Sequence, residues 1–332
     1  MKRLPEQMLR SPFPMVLGAG LFTVLLVLRQ TGLLGTPISE CTMTFFGYAF
    51  TVNGTWFLWS CVSLVILSTY MLYRLSGEYA MYNVRTHFGM ALFMAVFGGP
   101  AFVASSLSGM ISLMLALGAL FILFSTYQQT QAVGEYQLAF LLLGLATILS
   151  PKWMLLVPVF FASCGLLRSM TGRTALASLI GLITPYWIAA GVLFLCDEID
   201  HFFIPFQQLS TFSPVDYSCV TATWIVSFVL LMFMALPALF LYPTSVYSVK
   251  EKARVGYLFL FILFLCTTLL LLLQPQLIGE FLPLLMFEAC LTVTQMLLAH
   301  NERFVGTYLL LLLIIYALYA SEPYWGVSLI VR

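Results

Sequence analysis

The sequence predicts an all-α, polytopic transmembrane helix bundle of about eleven hydrophobic segments, one pair of them short and broken or re-entrant. Three observations predict it. Of 332 residues, 61% are hydrophobic and only 8% are charged, whereas a soluble domain carries about 25% charged residues because water must solvate its surface. Mean hydropathy is +1.01. The apolar residues run on for helical lengths without alternating, which is not the pattern of barrel strands.

A helix needs about 20 apolar residues to cross about 30 Å of hydrocarbon. The candidate spans are 13–34, 56–73, 88–104, 107–124, 131–149, 153–168, 174–195, 218–241, 255–273, 281–299 and 305–320. The first follows Lys2, Arg3 and Arg10 as a signal peptide would. It continues into Arg29-Gln30-Thr31 with no small-x-small cleavage site, so it reads as a retained helix. The second opens at Trp56 and Trp59; with Trp153, Trp187, Trp224 and Trp325 these form an aromatic belt at span ends.

The fifth and sixth spans are the weakest. Their strictly apolar stretches, Leu138–Leu149 and Trp153–Leu167, are separated by Ser150-Pro151-Lys152. Twelve helical residues rise only about 18 Å. Either the fifth helix begins near Gln131, carrying Glu135 and Gln137 in its first turns, or the pair is one short broken or re-entrant unit. The seventh span ends at the polar loop Cys196–Tyr217, and the basic run Lys250-Glu251-Lys252-Ala253-Arg254 precedes the ninth. With no linker or soluble stretch, residues 1–332 read as a single membrane domain.

Orientation follows from Lys and Arg in the short loops. With the N-terminus in the cytoplasm and the C-terminus outside, 11 of the 14 basic residues fall inside and 3 outside, namely Arg29, Lys152 and Arg332. Two outer loops then stand out. Gln30–Thr55 is polar and aromatic with Glu40 its lone carboxylate, and Cys196–Tyr217 holds Asp197, Glu198, Asp200, His201 and Asp216.

Several function classes are excluded. A net charge of +1 provides no basic field for nucleic acid. The seven cysteines contain no C-x-x-C pair, so no metal site is expected. Cys196 and Cys219 flank one loop and are either a disulfide pair or ordinary free thiols. No phosphate-binding loop, nucleophile elbow or H-E-x-x-H is present, and no cofactor is implied.

Four constellations carry potential chemistry. Glu288 lies near the middle of an apolar helix, where a charge costs about 2.5–3.5 kcal/mol. Thr292 and Gln295 follow at i+4 and i+7, so the three form one intramembrane polar face. That face is either a proton or cation relay or an interhelical hydrogen-bonding surface. Asp197, Asp200 and His201 share a face if the seventh helix continues through them, as a cation site or base, or they are simply hydrated acids. The run His201–Phe206 fits an interfacial segment. Arg168 and Arg173 either grip lipid phosphate or determine topology. Asn53-Gly54-Thr55 has the form of a glycosylation acceptor, a tripeptide common by chance.

Tyr82-Asn83-Val84-Arg85 leading into FGMALFMAVFGG, and the stretch Tyr136–Trp187, resemble an uncharacterised polytopic integral membrane family of Bacteroidota. The matching features are two short apolar runs broken at a Pro, the basic turn from Arg168 to Arg173, and G-L-x-x-P-Y from Gly181 to Tyr186. The resemblance covers about a third of the chain. It implies an all-helical inner-membrane protein and supplies no catalytic residues. Some relatives carry a carotene-oxygenase label, but three histidines (His87, His201, His300) are too few for the iron site that label requires.

The leading expectation is envelope biogenesis on a lipid-linked substrate, glycosyltransferase-like. Glu40 or Asp200 would be the base and Arg29 the phosphate contact. The alternatives are a non-catalytic membrane subunit of an envelope complex and a secondary transporter using Glu288. The expected partners are membrane lipid, a lipid-linked glycan and an envelope protein complex, with no nucleic acid.

Overall fold

The computed structural model describes residues 12–31, 40–46, 48–78, 87–98, 106–129, 131–210, 225, 228–236, 251–299, 307–310, 312–314 and 316–317. The expectations for Asp216, Cys219, His300, Trp224, Trp325 and most of span 218–241 lie outside these residues. The all-α expectation holds, and five helices are long and apolar enough to cross a membrane: those within Gly54–Leu75, Leu107–Ser125, Gly172–Leu195, Glu251–Leu273 and Pro275–Leu297.

In chain order the elements are α1 (Phe13–Gln30), β1 (Glu40–Phe45), β2 (Tyr48–Asn53), α2 (Gly54–Glu78), α3 (Phe88–Phe97), α4 (Leu107–Ser125), α5 (Val133–Leu149), α6 (Val157–Cys164), α7 (Gly172–Leu195), α8 (Ile204–Ser210), α9 (Glu251–Leu273) and α10 (Ile278–Ala299). Residues 307–310, 312–314 and 316–317 are also helical. Helix starts follow local chemistry. Ser106 caps α4 by accepting from the Gly109 N–H, and Thr171 with Thr174 forms a capping box at α7.

Helix α10 is the centre: 78% of its span is buried, against 28% for α7 at the edge. It packs on α3, α4 and α9, while α5 lies between α4 and α7. Phe93 of α3 meets Phe287 of α10 edge-on at 6.2 Å. Lipid offers no hydrophobic drive between helices, so close packing and interhelical bonds hold such a bundle. The α5–α7 contact shows how: a Cβ on Gly181 would strike the carbonyl oxygen of Gln137, and one on Gly144 would stand 2.7 Å from that of Leu182. The outer side of α7 presents Leu176, Ile180, Ile183 and Trp187, all exposed at helical spacing.

The fifth and sixth segments each run from one end of the bundle to the other. Helix α5 begins at Val133, so Glu135 does lie in its first turn. The next segment is broken into a 3-10 turn (Pro151–Leu155), α6, and a second 3-10 turn (Gly165–Leu167). At its start Trp153 packs on Phe281 at 5.3 Å, and at its finish the Leu167 carbonyl accepts from the Gln128 N–H. Both ends of the pair thus lie together, as two crossings and a re-entrant hairpin alike require, and each segment is shorter than the five helices long enough to span.

The described loops sort into two sets. At one end meet the β-hairpin, Ser106, Ile148, Trp153, Tyr186, His201 and Gly279. At the other meet Thr126, Tyr136, Ser169, Arg168 and Glu251.

The loop between α1 and α2 contains an antiparallel hairpin, registered from Glu40↔Asn53 to Phe45↔Tyr48. Its run of Thr, Phe, Tyr and Val has the β-branched and aromatic composition of strands, and Phe46 turns it at φ 47°. Trp153 departs from the expected aromatic belt: it is 1% exposed and packed inside, whereas Trp56, Trp59 and Trp187 are exposed.

Candidate functional site

Helix α7 stops at Leu195. Asp197 then takes φ 59°, with its N–H donating to the Phe194 carbonyl, and the chain re-enters a 3-10 turn at Ile199–Phe203. The single helical face expected for Asp197, Asp200 and His201 therefore does not form. A left-handed residue swings the chain so that His201 turns inward while Asp197, Glu198 and Asp200 stay exposed.

His201 docks the two large loops together. Its Nδ1 lies 3.0 Å from the Phe46 carbonyl oxygen. A carbonyl only accepts, so this nitrogen carries the proton. The imidazole also stacks on Tyr48 at 4.7 Å. Beneath it, Phe46, Ile148, Tyr186 and Leu193 form an apolar cluster, against which Phe45, Tyr48 and Phe202 pack. Tyr186 donates to Thr147 Oγ1 at 2.9 Å, joining α7 to α5 under the same platform. The apolar residues of the His201–Phe206 run are thus partly spent on the hairpin, with Phe203 exposed at 53%.

Glu40 opens β1 opposite Asn53. The six-residue strand, about 17 Å at 3.4 Å per residue, separates it from the turn beside which His201 docks. Arg29 lies in the last turn of α1. The side chains of Glu40 and Arg29 fall outside the description, so Asp200, exposed beside the hairpin turn, is the one of the three whose setting is defined. Cys196 is exposed at the end of α7, and its expected partner Cys219 lies outside the described residues.

In the bundle interior, Glu288 is fully buried. Thr267 of α9 donates to its Oε2 at 3.2 Å, while Oε1 has no hydrogen-bond partner. Gln295 accepts from Tyr257 of α9 at 2.9 Å. Thr292 instead turns its hydroxyl back to the Glu288 and Ala289 carbonyls. The polar stripe is therefore two interhelical rungs plus one back-bonded threonine.

At the opposite end Arg168, at φ 55°, pairs with Glu251 at 3.0 Å, and both are more than half exposed. Arg173 is exposed in the first turn of α7. Among the described residues no group of three or more His, Cys, Asp or Glu gathers as a metal site would. The sequence reading missed the hairpin and its docking residue Phe46. The signal was there: strand-type residues on either side of Phe46-Gly47.

The chain matches no protein-family model, no curated protein and no solved structure.

Proposed function

We propose that this chain is an inner-membrane protein, N-terminus in the cytoplasm, whose hairpin end faces outward and serves envelope assembly on a lipid-linked substrate. The observation that carries this reading is the docking of the hairpin through the His201–Phe46 bond, which supports an ordered platform beside the exposed carboxylates Asp197, Glu198 and Asp200. The excess of Lys and Arg at the other end supports the orientation. A polyprenyl-phosphate donor carries its own leaving group, so the protein would supply positioning and a base. Asp200 and Glu40 are the candidate bases and Arg29 the phosphate contact.

A second reading, a non-catalytic subunit of an envelope complex, is supported by the setting of Asp197, Glu198 and Asp200, which are exposed side chains on a turn rather than groups lining a buried site. Single changes Glu40→Ala, Asp200→Ala and Arg29→Ala in a strain dependent on this gene separate the two. Loss of envelope glycan at normal protein level in any one supports catalysis. Normal glycan in all three removes it and leaves the subunit reading.

A further inference from the structure

The hairpin leaves one of its edges open. Phe46 and Gly47 form a two-residue turn, so Phe45 and Tyr48 face each other as a hydrogen-bonded pair. Bonded and non-bonded pairs then alternate along an antiparallel ladder. Phe50 with Met43 and Val52 with Cys41 are bonded pairs, while Ala49, Thr51 and Asn53 turn their backbone groups away from β1. Among the described residues none bonds to the outward N–H groups of Ala49, Thr51 and Asn53, or to the carbonyls of Ala49 and Thr51. Thr51 and Asn53 are exposed, and Phe50 between them and the turn is 54% exposed.

Such an edge is normally guarded by Lys, Pro or a bulge. Strand β2 reads Tyr-Ala-Phe-Thr-Val-Asn, without a charge or a Pro, and its register with β1 is unbroken from Tyr48 to Asn53. Its sequence is also complementary to itself. A second β2 laid antiparallel on the first sets Thr51 opposite Thr51, Phe50 opposite Val52 and Ala49 opposite Asn53. Each Thr51 then exchanges both bonds with its counterpart, and each Asn53 N–H meets an Ala49 carbonyl. Thr–Thr and aromatic–β-branched pairs are favourable cross-strand contacts, and no like charges meet. Tyr48 and Val52 share one face and pack inward on the two apolar clusters, so the sheet lies flat on the end of the bundle. The two-fold axis of an antiparallel pair is perpendicular to the sheet and here runs along the bundle. Both copies therefore cross one membrane in the same sense.

We propose that the outer edge of β2 is a docking surface for a second copy of this chain. The two copies pair Tyr48–Asn53 antiparallel about a two-fold at Thr51, which gives a four-stranded sheet in the order β1-β2-β2-β1. The opposite edge of the hairpin is not used, because β1 lies against α2, α4 and α5. The pairing stands whether or not the chain acts on a lipid-linked substrate.

Disulfide cross-linking of the full chain in its native membrane tests it, with Cys41, Cys196 and Cys219 changed to Ser. Residues opposed in a hydrogen-bonded pair stand about 5.5 Å apart at Cα, within disulfide reach. Thr51→Cys should therefore oxidise to a covalent dimer. Ala49→Cys alone should not, because its two copies stand about 14 Å apart along the strands, but co-expressed with Asn53→Cys it should. Thr51→Lys sets two ammonium groups opposite each other and should raise the dimer dissociation constant in detergent about tenfold or more. Glu135→Lys, exposed at the opposite end of the bundle, should leave that constant unchanged. Should Thr51→Lys fold poorly, Thr51→Pro replaces it, since the N–H it removes points away from β1. A Thr51→Cys protein that stays monomeric on oxidation overturns the proposal. So does equal cross-linking by Ala49→Cys alone, the mark of random collision, and so does a Thr51→Cys adduct with a different protein in place of the dimer.

Discussion

Thr267 donates its hydroxyl to Oε2 of Glu288 at 3.2 Å while also lying 2.9 Å from the Leu263 carbonyl of its own helix. The threonine therefore does not depend on the carboxyl. Replacing a polar group whose partner has another acceptor is close to neutral, and removing an unpartnered oxygen recovers part of its burial cost. Both Glu288→Gln and Glu288→Leu should keep thermal stability within about 1 kcal/mol of wild type, read by melting in detergent. A folded Glu288→Gln protein that fails to complement would mark a relay. Complementation by both variants would mark packing alone. Tyr257→Phe removes a buried rung and should cost about 1 kcal/mol.

Gly181→Ala should destabilise by about 1–3 kcal/mol, the usual cost of overpacking, because its Cβ would meet the Gln137 carbonyl. Gly191→Ala on the same helix meets nothing within 4 Å and should be neutral, or stabilising by up to about 1 kcal/mol through helix propensity. Equal melting temperatures for the two variants would show that α5 and α7 do not approach this closely.

His201→Phe keeps a ring to stack on Tyr48 but cannot donate to the Phe46 carbonyl. Amide exchange in residues 48–53 should accelerate while α5 and α7 keep their protection. Unchanged exchange would mean that stacking and the apolar cluster alone hold the hairpin.

Cys196 is exposed at the hairpin end, so in a Cys219→Ser background it should react with a membrane-impermeant maleimide applied from outside. Reaction only after the cytoplasm is opened would reverse the proposed orientation.

Much of the fold was legible because a bilayer imposes one rule, long apolar runs, that sequence displays directly. The early start of α5, expected near Gln131 and found at Val133, follows from the length that a crossing needs. The hairpin was hidden by context, since the period-two character of two six-residue strands is faint beside the long apolar runs that flank it. The turn at Asp197 was hidden because its positive φ belongs to a residue that tolerates the left-handed region without requiring it. Glu288 was visible as an isolated carboxyl in an apolar helix, but no spacing within α10 could reveal Thr267 on α9.

The winding of the broken segment also bears on the thickness of membrane it can match. As one α-helix, residues 151–167 would rise about 26 Å; with eight of them in 3-10 turns rising about 2.0 Å each, they reach about 29 Å. Tighter coiling thus supplies the length that the residue count lacks. Its neighbour α5 has 17 residues in regular α geometry, about 26 Å, and gains no such extension. Against a hydrocarbon layer of about 30 Å a helix of that length falls a few Å short. The 24-residue α7, about 36 Å long and packed along α5, overhangs it by about 10 Å and in a bilayer would screen that shortfall from lipid.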